Sequence, residues 1–190
     1  SADDRDYNNR KSLTAPGRQF PPVVLSEFLA NPEGSFGSEW VELYNREDTS
    51  VSLARWRLGD STQLSDLLPM VTIPSREYLI LAQDTAAFRQ NYFSFGCSLA
   101  EVSAWPALNN SGDILRLIDS FGLSADVFAF SETYSGNLTW GKEFAENRWG
   151  RSVDSGGTPG TDNNLRFAQE GRDLRVELSP QIYPSACLSR

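Results

Sequence analysis

Glu39-Trp-Val-Glu-Leu-Tyr-Asn45 decides the fold: it is rich in aromatic and apolar residues, contains neither glycine nor proline, and reads as one extended strand. Working outward, Val23, Leu25 and Glu27 alternate with Val24, Ser26 and Phe28, and Asn31-Pro-Glu-Gly34 then breaks the chain before the next strand begins. Short strands separated by turn residues continue downstream. They are expected near 23–30, 39–45, 51–60, 71–73, 77–82, 114–119 and 123–130, the last two joined through Asp119-Ser-Phe-Gly122, with glycine where a hairpin loop needs positive φ. One segment is helical in character: Asp84 can cap it, and Phe88 and Tyr92 fall four apart on one face. Strands at this spacing with one short connecting helix predict an all-β antiparallel sandwich, with Trp40 and Trp56 in its core.

The order of these strands resembles the lamin-tail domain family, specifically its bacterial branch. The resemblance is carried by Glu39–Asn45, by Val51-Ser-Leu-Ala-Arg-Trp-Arg-Leu-Gly-Asp60 and by Leu108-Asn-Asn-Ser-Gly-Asp113. Val24-Leu-Ser-Glu-Phe-Leu-Ala-Asn-Pro32, Tyr78-Leu-Ile-Leu-Ala82 and Gly157-Thr-Pro-Gly-Thr-Asp-Asn163 complete it. It implies an immunoglobulin-like sandwich over residues 21–163 and a family whose members are not recognised as enzymes. Residues 1–20, polar and ending at Pro16-Gly17, read as a flexible linker. Residues 164–190 read as an extension: Leu174–Leu178 alternates like a strand, and Leu178–Pro184 resembles the opening of a following immunoglobulin-like domain. The expectation is a module of a larger exported or cell-envelope protein.

Composition narrows the chemistry. Of 190 residues, 39% are hydrophobic and 12% aromatic, enough for one packed core, and the formal net charge is −8 with a pI of about 4.6. No run of lysine and arginine occurs, so nucleic acid is not an expected partner. No apolar stretch reaches bilayer length, so membrane insertion is not expected, and Ser1–Asp6 lacks the layout of a signal peptide. Cys97 and Cys187 lie too far apart in sequence for a CxxC motif.

The chain has no histidine, which removes the usual general base, histidine-assisted nucleophiles and the commonest transition-metal ligand. Glu27, Glu39 and Glu42 are the candidates for a carboxylate pair, although a glutamate on a strand more often makes a cross-strand pair or a turn hydrogen bond. No cofactor is expected; calcium is the one ion that scattered loop acids (Glu33, Asp60, Asp113, Asp119, Asp154 and Asp162) could hold, and each doubles as a turn former. Trp105, Trp140 and Trp149, beside Pro106, Gly141 and Gly150, are read as aromatics of irregular segments that could bind a protein or a surface glycan, or else cover the open end of the sandwich. Asn109-Asn-Ser111 and Asn137-Leu-Thr139 fit the glycosylation triplet, which is common by chance and carries meaning only in a eukaryotic secretory context.

These features lead to a non-enzymatic interaction or spacer module. The alternatives are a carbohydrate- or calcium-dependent adhesion module and an accessory domain of a secreted hydrolase. The charge balance gives the first test: in a gel shift at physiological salt, the chain should leave duplex DNA unshifted at micromolar protein, because a −8 chain gains nothing from counterion release.

Overall fold

A computed structural model describes residues 21–167. Among these residues the strands are β1 (Val23–Leu29), β2 (Trp40–Asn45), β3 (Val51–Ser52), β4 (Arg57–Gly59), β5 (Thr72–Ile73), β6 (Tyr78–Ala82), β7 (Ser98–Glu101), β8 (Asp113–Ile118), β9 (Ser124–Phe130), β10 (Leu138–Glu143), β11 (Arg148–Ser155) and β12 (Leu165–Arg166). One helix, α1 (Thr85–Asn91), fills a connection, and Gly34–Phe36 forms a single 3-10 turn. A seven-stranded sheet in the order β12-β11-β10-β1-β2-β6-β7 faces a three-stranded sheet, β4-β8-β9, and β3 pairs with β5 at one side. Every pairing is antiparallel except β6 with β7.

The period of two along each strand sorts the side chains. Val23, Leu25, Phe28, Val41, Leu43, Leu79 and Leu81 turn towards the small sheet and meet Leu58, Leu115, Leu117 and Phe130. Leu29, Trp40, Ile80 and Ala82 turn the other way and pack beneath Phe88 of α1. The central strands are therefore buried on both faces, which is why Trp40–Leu43 shows no simple polar and apolar alternation. Trp40 is 1% exposed, its ring meets Phe88 edge-on at 5.9 Å, and its Nε1 donates to the Tyr92 hydroxyl at 3.1 Å.

A bulge in β1 between Leu25 and Glu27 lets the Leu25 amide leave the ladder and donate to Asp126 Oδ2 of β9 at 3.0 Å. Lys142 of β10 reaches the same oxygen at 2.9 Å, with the two side chains 7% and 13% exposed. One buried carboxylate thus ties the edge of the small sheet to two strands of the large one. The helix begins where Asp84 accepts from the Ala86 and Ala87 amides, as its sequence predicts, and Phe88 and Tyr92 stack at 4.3 Å.

Three expectations need correction. The run 51–60 is two strands, because Trp56 N–H turns back to Leu53 O and Arg55 takes a φ of 69°. Strand β7 was not foreseen. Trp140 and Trp149 lie in β10 and β11 rather than in irregular chain, and the glycines that obscured these strands are required by close packing. A Cβ on Gly141 would stand 2.6 Å from Leu165 Cδ2, and one on Gly150 would stand 2.9 Å from Arg166 O. The predicted strand at 174–178 and Cys187 fall outside the described residues; among the described residues half-buried Cys97 has no disulfide partner.

Trp40 and Trp56 are both buried, as expected, so replacing either with alanine should cost about 3–5 kcal/mol in denaturant melts. Trp105, half-buried at the margin of the core, should cost less.

Candidate functional site

Glu27 and Glu42 stand opposite each other in the β1–β2 register, each 0% exposed, on the face that α1 also covers. The segment Gly156–Asn163 closes over them like a strap. Thr139 Oγ1 donates to Glu27 Oε1, the Thr158 amide donates to Glu27 Oε2 at 2.9 Å, and the Gly160 amide donates to Glu42 Oε2 at 2.5 Å. Gly157 has a φ of +74°, and a Cβ there would fall 2.3 Å from Glu27 Oε1, so only glycine lets the backbone pass this close. Asn163 Nδ2 donates to the carbonyls of Ser26 and Lys142, and the Tyr78 hydroxyl donates to Asp162 at 2.9 Å. Glu42 Oε1 is buried without a partner.

Burial pushes Glu27 up to about 7, an effect that the Thr139 and Thr158 hydrogen bonds only partly offset. Burial again, with the nearby Glu27 charge second, pushes Glu42 up to about 8. Burial thus favours the protonated form of both acids, which eases the repulsion between two carboxyl groups paired across the sheet. Glu27 accepts from Thr139 and Thr158 and Glu42 accepts from Gly160 through one oxygen, so the arrangement works as a latch for the strap.

Glu39, the third candidate acid, is half-buried at the start of β2. Its Oε2 accepts Trp105 Nε1 at 2.6 Å and the Leu108 amide at 3.1 Å, and burial raises it to about 7. The loop acids accept hydrogen bonds within the fold, Asp60 and Asp119 in their own turns. Asp60 accepts from the Thr62 and Gln63 amides, Asp119 from those of Phe121 and Leu123, and Glu33 from that of Gly136. Asp154 accepts from Asn164 Nδ2. Burial opposes ionisation of Asp113, yet donors from Ser61, Ile114 and Asn109 win and hold it at about 2. Among the described residues no three acids or cysteines are grouped so as to hold a metal ion.

The three tryptophans do not converge. Trp149 stacks on Phe128 at 4.2 Å, Trp140 meets the same ring edge-on at 5.3 Å and tilts against Tyr134 at 4.8 Å, and Trp140 Nε1 donates to Glu132 O. Lys142 lies over the Trp149 ring and Arg151 over Tyr134. This strip closes the sandwich beside β9, whereas Trp105 is bound to Glu39. Among the described residues no ring contact joins Trp105 to the other two.

Sequence reading missed a groove of about 570 Å³ on the outer face of the small sheet, where Arg55, Arg57 and Arg116 come together with Leu64, Leu67 and Phe121. Its trace in the sequence is the alternation of arginine with core residues in Ala54-Arg-Trp-Arg-Leu58 and Leu115-Arg-Leu117. The convergence itself depends on the register that sets Arg57 opposite Ile118 and Gly59 opposite Arg116.

The buried pair makes stability depend on pH with a definite sign. Free glutamate titrates near 4.5, and both groups titrate higher in the folded chain, so folding retains protons that the unfolded chain releases. This contribution is complete below about pH 4.5 and is lost as pH rises through about 7 to 8. The melting temperature should fall by roughly 5 °C or more between pH 5 and pH 9, each kcal/mol being worth about 2–4 °C at this size. Glu42→Gln, which mimics the protonated acid, should flatten that slope in thermal melts.

The lamin tail domain family model matches residues 16–132. No curated protein matches the chain. The match spans more than half of the sequence and takes in β1 through β9, and it agrees with the sandwich described above. The chain belongs to the lamin tail domain family, a family of non-enzymatic, immunoglobulin-like protein-interaction modules.

Proposed function

We propose that this chain is a non-enzymatic interaction or spacer module of the family's bacterial branch, mounted in a larger exported or cell-envelope protein. The observation that supports this reading best is the use made of Glu27 and Glu42. The pair that would have to serve acid and base chemistry is enclosed by Thr139, Thr158 and Gly160 and fastens the chain's own strap. A glycosidase pair needs an open face on each carboxyl group for substrate and water. The partner is a protein or a surface glycan rather than nucleic acid, in keeping with the −8 charge.

The half-buried strip of Phe128, Tyr134, Trp140 and Trp149 supports a second reading, a carbohydrate-binding adhesion module. A sugar ring can stack on aromatic faces, but most of the contact area in this strip is already taken by neighbouring rings. Calcium dependence receives less support, because Asp60 and Asp119 already accept hydrogen bonds from their own turns and Glu33 from the distant Gly136 amide.

Two measurements on the full-length parent protein test the main reading. After cell fractionation, the protein should be found in the envelope or medium. Chromogenic glycosides should show no turnover that Glu27→Gln or Glu42→Gln abolishes. Cytoplasmic retention, or turnover lost in either variant, would overturn it. A melting temperature that rises by more than a few degrees in millimolar calcium would instead favour the adhesion module.

A further inference from the structure

Within the interaction reading, on which this inference rests, we infer that the arginine-lined groove on the outer face of the β4-β8-β9 sheet is a binding site for a short acidic peptide bearing large apolar side chains. The groove concentrates positive charge on a chain whose net charge is −8. Among the described residues Arg55, Arg57 and Arg116 have no carboxylate within ion-pair distance. The lining contains one acid, Asp119, whose Oδ1 accepts the Phe121 and Leu123 amides in the hairpin turn.

Two of the guanidinium groups are already oriented. Arg57 Nη1 donates to Ser65 O and Arg116 Nη2 to Asp60 O, so the loop after β4 holds both side chains while each keeps other N–H groups unbonded. Arg116 Nε is buried with no acceptor, so part of its desolvation cost has already been met before a ligand arrives. Arginine in this state favours the planar, two-oxygen geometry of a carboxylate. Fixed orientation also limits the ordering cost of binding.

The apolar lining restricts the ligand further. Phe121 is 86% exposed at the hairpin tip, and Leu64 and Leu67 are 47% and 51% exposed on the facing loop. A short peptide carrying both acidic and apolar side chains sets carboxylates on the arginines and apolar groups against these three residues, which line the same groove. A long polyanion would extend beyond the groove on a chain of net charge −8, which disfavours nucleic acid.

The test uses fluorescence anisotropy of the full chain with two labelled heptapeptides, one alternating glutamate with leucine and phenylalanine and one with lysine in place of glutamate. Binding of the acidic peptide alone is expected, weakening as salt rises from about 50 to 300 mM. Arg55 and Phe121 are exposed and neither side chain bonds to the fold, so Arg55→Glu and Phe121→Ser should leave the melting temperature unchanged. Each should weaken binding roughly five- to tenfold. The inference is overturned if the lysine peptide binds equally or neither peptide binds. It is also overturned if both variants bind like the parent chain, or if a single-stranded oligonucleotide displaces the peptide at equal concentration. Self-association of the chain that Arg55→Glu abolishes, without peptide binding, would assign the groove to a second copy and overturn it as well. Fractionation and turnover do not involve the groove, so loss of this inference leaves the interaction-module reading standing.

Discussion

The pairing of Glu27 with Glu42 in the two central strands is the constraint around which this domain is arranged. An immunoglobulin-like sandwich ordinarily needs one face of each sheet buried, and a solvated outer face would place glutamate there at no cost. Here the outer face of the large sheet is covered by α1 and by Gly156–Asn163, so both acids must be satisfied without water. The chain meets this demand with amide and hydroxyl donors at both oxygens of Glu27 and at Oε2 of Glu42, and burial favours the protonated form of each acid. The glycine at 157 follows from the same demand, because a Cβ there would fall 2.3 Å from Glu27 Oε1, whereas Gly160 is required by its close approach to Gly96 N, 2.9 Å from where its Cβ would stand.

A second buried acid organises the other side of the sheet. Asp126 takes the Leu25 amide freed by the β1 bulge together with the Lys142 ammonium group, so a local defect in one strand becomes a junction between sheets. A pair this enclosed contributes less to net stability than to specificity: removing either partner would leave a buried charge or an unmet amide, and a register slip would do the same. The two junctions lie on neighbouring elements, since Lys142 and Thr139 both belong to β10.

How far the sequence could be read follows from where the relevant contacts lie. Strands β1, β2, β6, β8 and β9 were legible because their apolar content and bounding turns are local signals, and α1 was legible because Asp84 and the Phe88–Tyr92 spacing lie within it. Strands β10 and β11 were not, because their glycines answer to Leu165, Asn163 and Arg166, residues that sequence order does not place beside them. Parallel β7 was hidden for a similar reason: Ser98–Glu101 pairs with β6 only after the intervening helix has turned the chain back. The glutamates were read as cross-strand or turn partners, and Glu27 is both at once. The arginine groove was invisible because its members lie on separate strands and become neighbours only through the β4–β8 register.

The family match ends at residue 132, but the physical unit does not. β10 supplies the second neighbour of β1, and Thr139, Thr158 and Gly160, all beyond the match, provide the donors for the buried acids. Without these residues one edge of β1 would be unpaired, and two carboxyl groups adapted to a dry environment would face water at a pH where they ionise. Charged and repelling across one register position, they would oppose the pairing on which β1 and β2 depend. The two glutamates and the strap are therefore interdependent: the acids make little physical sense without the glycine-bearing segment, and the segment is anchored on them and, through Asn163, on Ser26 and Lys142. Such coupling between the start and the end of the domain fixes its closure with few residues, on the face of the large sheet opposite the arginine-bearing small sheet.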